Sequence, residues 1–333
     1  MKAKIKTRIG ANHVPLQNVI PLETPYLIFL DPSNICNFKC KFCPTGDRKL
    51  AKKFRKPALL QLDDAKRIID DLSQFPDPIK TLRLYKDGEP LLNQELPEII
   101  RYAKSTGRFQ HIDTTTNGSL LTEELSNKLA ESGLSKIFIS IEGLNERAYQ
   151  DFSGYKINLP SFLANIEYLY HVSRGKMEIH IKMTENNPGI DRHVFFYDMY
   201  GDICDYISIE HTAPCWPGFD VPSVDQNLDI YGYSLPAEAV KVCPYIFYSL
   251  TINSIGSVSI CFLDWKHQGL LGWYIGEETS IQDIWNGKQL KSFRRRMLEG
   301  KRDQIGLCKN CEQLRYGRPD NIDAYAKELL EKI

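Results

Sequence analysis

The chain has 333 residues, with 42 basic and 42 acidic side chains, so its formal net charge is zero. That balance argues against a nucleic-acid polyanion as the main partner, and no apolar run reaches the length of a membrane span. Nine cysteines behind a start (Met1 to Gly10) that is basic but lacks the apolar core of a secretory signal read as metal ligands or free thiols in a reducing cytoplasm, not as disulfides.

The length suffices for one large domain and a small one. Residues 1–25 form an N-terminal extension, too short for an independent folded domain. Strand-like runs then follow at Tyr26–Asp31, Lys80–Tyr85, Gln110–Thr115, Lys136–Ile141, Met177–Met183 and Tyr206–Glu210. Helical patterns lie between them at about Leu62–Phe75, Gln94–Ser105, Glu123–Ser132, Pro160–Val172 and Arg192–Tyr200. Leu62, Ala65, Ile69 and Leu72 share one face of the first helix, and Asp63 and Asp64 suit its opening turn. Thr122 reads as a cap, and Gly107 and Gly133 as helix stops. Six such units with buried strands imply a parallel α/β sheet with right-handed crossovers. The chemistry of such sheets sits at the carboxyl ends of the strands. Periodicity alone leaves a doubly wound open sheet as the alternative to a barrel over 26–218. A linker rich in Pro, Gly and Tyr spans 219–242, a cysteine-bearing domain spans 243–320, and a closing amphipathic helix spans 321–333.

Directly after the first strand comes Cys36-Asn37-Phe38-Lys39-Cys40-Lys41-Phe42-Cys43. Thiolates are soft ligands that suit zinc or iron–sulfur clusters. Three on so short a loop grip three corners of one cubane and leave its last iron open to a non-protein ligand. Electron-carrying clusters normally take a fourth cysteine, and none follows until Cys204. A structural zinc site needs a nearby fourth donor, and no His or Cys lies close on either side. This spacing, with the aromatic Phe42 before the third cysteine, resembles the radical S-adenosylmethionine (radical SAM) superfamily.

The resemblance implies a partial (β/α)6 TIM-like barrel, a 4Fe–4S cluster on Cys36, Cys40 and Cys43, and SAM chelated at the open iron. There SAM is cleaved to a 5′-deoxyadenosyl radical that abstracts hydrogen from an unactivated C–H bond. Asp87-Gly88-Glu89-Pro90, after the second strand, resembles the family's Gly-Gly-Glu-Pro motif, which receives the SAM amino group. Asp87 departs from it, while Gly88, Glu89 and Pro90 stand in place. Asn117 follows the third strand, and Ser140-Ile141-Glu142-Gly143 resembles the family's ribose-contacting stretch. Phe42, Gly88, Glu89, Asn117, Ser140 and Glu142 are thus the expected SAM contacts. For Asn117, Ser140 and Glu142 ordinary polar loop chemistry is the competing account.

Lys182, near the end of strand five, faces the SAM carboxylate, the substrate or solvent. Glu210 and His211, at the end of strand six, are candidates for a base that takes a hydroxyl proton, since either residue type can be tuned to neutral pH. Cys215, in the irregular loop beyond, is a candidate hydrogen-atom donor or a bystander, and Cys204 reads as a buried filler.

Cys243, Cys261 and the knuckle Cys308-Lys309-Asn310-Cys311 supply four more thiols, which by ligand type alone suit zinc or a second cluster. The order Cys243…Gly256…Cys261, then Ser280-Ile281-Gln282-Asp283-Ile284-Trp285-Asn286, then Cys308…Cys311 resembles the SPASM extension or its shortened twitch form. That implies one auxiliary 4Fe–4S cluster on Cys243, Cys261, Cys308 and Cys311. Trp285 reads as packing, and Arg294-Arg295-Arg296 as a solvated helix face.

Two clusters imply a radical SAM oxidoreductase fed by a reducing donor such as flavodoxin or ferredoxin. Among twitch-bearing relatives, 2-deoxy-scyllo-inosamine dehydrogenase is the precedent, so oxidation of a sugar or aminocyclitol alcohol to a ketone is the expected reaction. The alternatives are peptide maturation by thioether or carbon–carbon crosslinking, disfavoured by the short N-terminal extension, and radical epimerisation with Cys215 as hydrogen donor.

Overall fold

Alternation of apolar and polar residues along the strands sorts them onto two faces of one sheet. In the computed structural model, which describes residues 1–8, 14–185, 190–221, 229–232, 239–275 and 279–333, ten strands form that sheet. They are β1 (Lys4–Ile5), β2 (Leu27–Leu30), β3 (Ile79–Arg83), β4 (Phe109–Thr116), β5 (Lys136–Ile141), β6 (Glu178–Glu185), β7 (Tyr206–His211), β8 (Ser249–Ile252), β9 (Ser257–Ser259) and β10 (Leu270–Trp273). Their spatial order is β1-β7-β6-β5-β4-β3-β2-β8-β9-β10. From β1 to β8 every neighbour pairs in parallel, and β8-β9-β10 closes as an antiparallel meander.

The helices are α1 (Arg48–Ala51), α2 (Leu62–Leu72), α3 (Leu96–Ser105), α4 (Glu123–Glu131), α5 (Glu146–Ser153), α6 (Leu159–Ser173), α7 (Ile190–Tyr200), α8 (Tyr245–Tyr248), α9 (Ile281–Asn286), α10 (Lys288–Leu298), α11 (Gly306–Lys309), α12 (Gln313–Tyr316) and α13 (Ala326–Lys332). Thr122 caps α4 by accepting from the Leu125 amide at 3.1 Å. Gly107 and Gly133 take positive φ at 65° and 88°, where a side chain would be strained. Within 26–218 two helices escaped the pattern reading, although their caps were visible. Asp47 caps α1 by accepting from the Lys49 and Leu50 amides, and Asn145 caps α5, which Gly154 ends in the left-handed conformation.

Ile28, Leu30, Leu82, Ile112, Ile137, Ile139, Ile179, Ile181 and Ile207 are buried in the main apolar core. The alternate positions, among them Arg83, Asp113, Ser140, His180, Lys182, Ser208 and Glu210, line the other face of the same strands. That face forms a polar lumen, so the strands are buried on both sides without being apolar on both.

Three features lie outside what local patterning shows. Residues 1–25 contribute a strand, with Lys4 opposite Tyr206 and Ile5 opposite Ile207. The Cys243-bearing region joins the barrel sheet directly, Leu27–Leu30 pairing with Ser249–Ile252. Arg294 is not part of a solvated face: it is buried, its guanidinium stacks 4.0 Å from the Trp285 ring, and its Nε donates to the Ile246 carbonyl at 2.9 Å. Burial, with no anionic partner among the described residues, pushes its pKa down to about 10. Much of the 219–242 linker, residues 222–228 and 233–238, lies outside the described residues, as do residues 9–13 of the N-terminal extension. Among the described residues no helix is long and apolar enough to cross a membrane.

Candidate active site

The loop leaving β2 carries Cys36, Cys40 and Cys43 at the carboxyl edge of the sheet. Two tight turns wind it: the Cys43 amide donates to the Cys40 carbonyl at 3.1 Å, and the Gly46 amide to the Cys43 carbonyl at 2.9 Å. The Lys39 amide anchors it to α5 by donating to the Ser153 carbonyl. Phe38 fills the space beneath, buried against Tyr149 and Tyr155, and Phe42 packs on Phe152 with ring centroids 5.4 Å apart.

Gly88 meets this loop from β3. A Cβ built on it would stand 2.2 Å from the Ile35 carbonyl oxygen and 2.4 Å from that of Ser33, so only glycine fits. The close approach is therefore to the cysteine loop itself. The Glu89 amide donates to the Ile35 carbonyl at 2.8 Å. Its carboxylate accepts from the Leu91 amide at 3.0 Å, the Thr116 hydroxyl and the Asn117 amide at 2.8 Å. The Asn117 side chain donates to Asn37 Oδ1 at 2.9 Å. Glu89 and Asn117 thus tie the ends of β3 and β4 to the cysteine loop. Burial pushes the Glu89 carboxyl up to about 7, against the pull of those donors.

Glu142, at the end of β5, has a buried Oε2 with no hydrogen-bond partner among the described residues. Burial pushes its carboxyl up to about 7, and its charge reaches Cys36 and Cys40. An orphaned acceptor beside the thiol loop fits a ligand hydroxyl. Because that value lies above the ordinary 4.5, the folded chain binds more protons than the unfolded chain across this window, and stability falls as pH rises through it. Glu142→Gln is expected to stabilise the metal-free chain by on the order of 1 kcal/mol near pH 8. No gain is expected near pH 4, and affinity for SAM should drop; denaturant melts at the two pH values check the first, and SAM titration the second.

Deeper in the lumen, Glu210 lies between Lys182 Nζ at 3.1 Å and Arg8 Nε at 3.0 Å. Burial opposes its ionisation, but Arg8 and then Lys182 outweigh it and hold the carboxyl below its usual range. Arg8 had no sequence signal, since it comes from the segment before the barrel. His180 Nε2 lies 2.9 Å from the Ser208 hydroxyl, and burial pushes its pKa down to about 3, so the ring is neutral. Arg83 grips Asp113 through Nε at 2.8 Å and Nη2 at 2.7 Å. His211 ends β7 half-buried, its amide donating to the Ile230 carbonyl. Ser140 is also half-buried, paired in register with Lys182. A cavity of about 530 Å3 opens beside this face, lined by Arg8, Arg83, Tyr85, Cys215, Tyr231 and Phe262 among others.

Sequence reasoning missed a second buried cluster, around Asp87. Its Oδ2 lies 2.8 Å from Lys86 Nζ and 3.0 Å from His267 Nε2, and its Oδ1 lies 3.3 Å from Arg55 Nη1. Arg55 also donates to the Trp265 carbonyl at 2.7 Å and to the Thr45 hydroxyl. Lys86 donates to the Asp264 carbonyl at 3.1 Å. Burial opposes the charge on Asp87, but Lys86 and Arg55 hold its carboxyl far below the ordinary range. Neighbouring Asp31 responds the other way, pushed up to about 7 by burial and by Asp87. The only sequence signal was the departure of Asp87 from the glycine-rich motif.

Cys243 precedes α8, Cys261 follows β9, and Cys308 and Cys311 bracket the end of α11. The Leu263 amide donates to Cys261 Sγ at 3.3 Å. Burial pushes the thiol of Cys243 up first, then the charges of Cys308 and Cys311; Cys261 responds likewise to burial, Cys243 and Cys311. In the first loop burial again acts first: Cys36, raised to about 12, next feels Glu89 and then Cys43, and Cys40 feels Glu142, then Cys43 and Cys36. Thiols of one set thus lie within electrostatic reach of one another. Among the described residues, no group of three His, Cys, Asp or Glu side chains is arranged to hold a single metal ion. Thiols whose ionisation is opposed by burial, and for most of them by a neighbouring thiol, fit a cluster that would stabilise their ionised form.

A parallel partial barrel with one open-ended thiol loop at its carboxyl edge and a second thiol set beside it defines an iron–sulfur enzyme. Family models match the radical SAM superfamily over residues 30–192 and the iron–sulfur cluster-binding SPASM domain over residues 243–312. The chain belongs to the radical SAM superfamily and carries a SPASM domain. Its cofactors are a SAM-binding 4Fe–4S cluster, an auxiliary 4Fe–4S cluster and SAM.

Similar curated proteins include an Fe-coproporphyrin III synthase of Methanosarcina barkeri, 31% identical over 46% of this chain and 36% of that one. A GTP 3′,8-cyclase of Vibrio atlanticus is 25% identical over 48% of this chain and 46% of that one. The chain thus spans less than half the length of these relatives. Among solved structures, Streptococcus suis SuiB bound to the precursor peptide SuiA superposes with a TM-score of 0.65 at 14% identity, over 89% of this chain and 73% of that one. BtrN in complex with AdoMet and 2-DOIA gives 0.53 at 21% identity, over 86% and 92%. Both likenesses bear on the fold.

Proposed function

We propose that the chain oxidises an alcohol carbon of a sugar, aminocyclitol or similar small polar molecule to a ketone. In this reading Cys36, Cys40 and Cys43 hold the SAM-binding cluster, and Phe42, Gly88, Glu89, Asn117, Ser140 and Glu142 surround SAM. Cys243, Cys261, Cys308 and Cys311 hold the auxiliary cluster. Cluster and SAM together supply a 5′-deoxyadenosyl radical.

The observation that carries the reading is the ion-paired lumen, above all Glu210 held ionised between Arg8 and Lys182. Bound SAM would supply the radical that takes the carbinol hydrogen, Glu210 would accept the hydroxyl proton, and Cys243, Cys261, Cys308 and Cys311 would hold the group that accepts the remaining electron. The carboxylate is ionised and so can accept that proton; its two cations weaken it as a base and fix where it points. His211 is the neighbouring candidate for the same task. A cavity of about 530 Å3 is of the size that holds one small molecule. BtrN, a 2-deoxy-scyllo-inosamine dehydrogenase, shares the fold, but the polar lumen rather than that likeness supports the proposal.

Cys215 favours a second reading, redox-neutral epimerisation. It lines the same cavity, and burial pushes its thiol up to about 12, so it keeps a hydrogen atom to donate.

The test is anaerobic turnover of sugars and aminocyclitols deuterated at the carbinol carbon, with peptides for comparison. The expected result is deuterium in 5′-deoxyadenosine together with a ketone; product formed with unlabelled 5′-deoxyadenosine would falsify the proposal. Cys215→Ala separates the two readings. A dehydrogenase keeps its product yield, whereas an epimerase cleaves SAM without forming product.

A further inference from the structure

The chain is neutral overall, yet the cysteine loop is bordered by a dense group of cations. Lys39 and Lys41 stand exposed on the loop itself, and Arg48, Lys49, Lys52, Lys53 and Lys56 stand exposed on and after α1. Asp47 is the one acidic residue between positions 39 and 56, and it is occupied in capping α1. Among the described residues none of these seven side chains pairs with a carboxylate; the buried neighbour Arg55 does, with Asp87. The group is also close to the thiols. Arg48 Nη2 donates to the Cys36 carbonyl at 3.2 Å and to the Asn37 carbonyl at 3.3 Å. Cys36, Arg48 and Lys52 share the wall of one cavity of about 390 Å3. Phe54 lies among the cations, 37% exposed, edge-on to the Trp265 ring and capped by Lys266.

We infer that this face, centred on Arg48, Lys49, Lys52, Lys53 and Phe54, docks an acidic protein that carries single electrons. The inference rests on the reading that Cys36, Cys40 and Cys43 hold a reducible cluster, and it adds where the reductant arrives. One electron leaves the reduced carrier, which is oxidised, and enters the oxidised cluster, which is reduced; no bond forms or breaks. A uniform cationic field steers an acidic partner toward productive encounter. An exposed aromatic ringed by charge supplies the central apolar contact that such interfaces favour. Arg48 shortens the route, since its guanidinium joins the surface to the backbone of a cluster ligand. A nucleic acid fits less well, because the patch has one exposed aromatic and no row of stacking platforms.

The experiment uses the reconstituted holoenzyme and measures cluster reduction by stopped flow, with reduced flavodoxin as one reductant and titanium(III) citrate as the other. The variant is Lys49→Glu/Lys52→Glu/Lys53→Glu, all exposed side chains outside the SAM and substrate sites. Its second-order rate with flavodoxin is expected to fall roughly tenfold or more at low salt. That gap should narrow near 1 M salt, where screening shortens to about 3 Å, and the titanium rate should match the wild type.

An unchanged flavodoxin rate, or an equal fall with both reductants, overturns the docking surface. So does a variant that loses affinity for a short oligoribonucleotide while keeping its flavodoxin rate. If the triple variant does not fold, Lys52→Glu alone is expected to show a smaller, salt-sensitive fall, and its absence counts equally against the surface. Wild-type protein that retains no iron at the first site removes the underlying reading instead; iron retained with an unmoved flavodoxin rate removes only the docking surface.

Discussion

Replacing Cys40 with serine is expected to remove about four of about eight iron atoms per reconstituted chain and to cut SAM cleavage by more than about 100-fold. The comparison is with outer partners of metal ligands, whose loss typically costs roughly 10–100-fold. The reason is the geometry of the β2 loop. Burial raises the thiols of Cys36 and Cys40, the charge on Cys43 raises both further, and under the proposed ligand assignment none of the three can be spared. Cys308→Ser is expected to remove the other four or so irons while leaving SAM cleavage measurable. Iron counting and 5′-deoxyadenosine assay of the two variants check this. Equal iron loss with SAM cleavage intact in Cys40→Ser would sink the ligand assignment.

Asp87→Ala should destabilise the metal-free chain by about 3–5 kcal/mol, the usual cost of removing one partner from a buried ion pair. Lys86 and Arg55 would remain buried, at 8% and 5% exposure, with their shared carboxylate gone. The effect has a pH signature. The Asp87 carboxyl is depressed in the folded chain, so its contribution is full above the ordinary carboxylate range and is lost as pH falls through the folded value. The difference between wild type and variant should therefore be largest near neutrality and shrink in acid. Urea unfolding across that range measures it, and a difference below about 1 kcal/mol at neutral pH would mean that the cluster is not the fastening described. Asp87→Gly puts in the residue of the Gly-Gly-Glu-Pro motif and is expected to behave like alanine, because Lys86 and Arg55 lose the same carboxylate.

The order of six barrel strands and five of the helices was legible because each is a local repeat, of period two or near 3.6. The boundaries at Lys136–Ile141 coincide, and the others shift by one or two residues where strands run into their loops. The thiols were legible by spacing, and Lys182 and Glu210 by their places at strand ends. What escaped was non-local. Arg8 meets Glu210 across some 200 positions, and His267 meets Asp87 across 180; no local pattern encodes such pairings. The two-residue β1 is too short to show a period. Arg294 looked solvated beside Arg295 and Arg296, which are exposed, because sequence does not reveal that Trp285 lies beneath only one of the three. The polar lumen was half legible. Its residues are in the strands, but an interior face that holds ions is distinguishable from a solvent-facing one only once β1 and β8 take their places in the sheet.

The pairing of β2 with β8 has a mechanical corollary. The loop with Cys36, Cys40 and Cys43 leaves β2, and Cys243 leads into β8, its direct parallel partner over Leu27–Leu30 and Ser249–Ile252. The cysteine loop and Cys243 thus adjoin neighbouring strands of one sheet, the loop at the carboxyl end of β2 and Cys243 ahead of the amino end of β8, not bodies joined by a tether. A crossing between them is set by backbone hydrogen bonds, so its rate should be insensitive to solvent viscosity, unlike that of proteins whose redox modules must swing into reach.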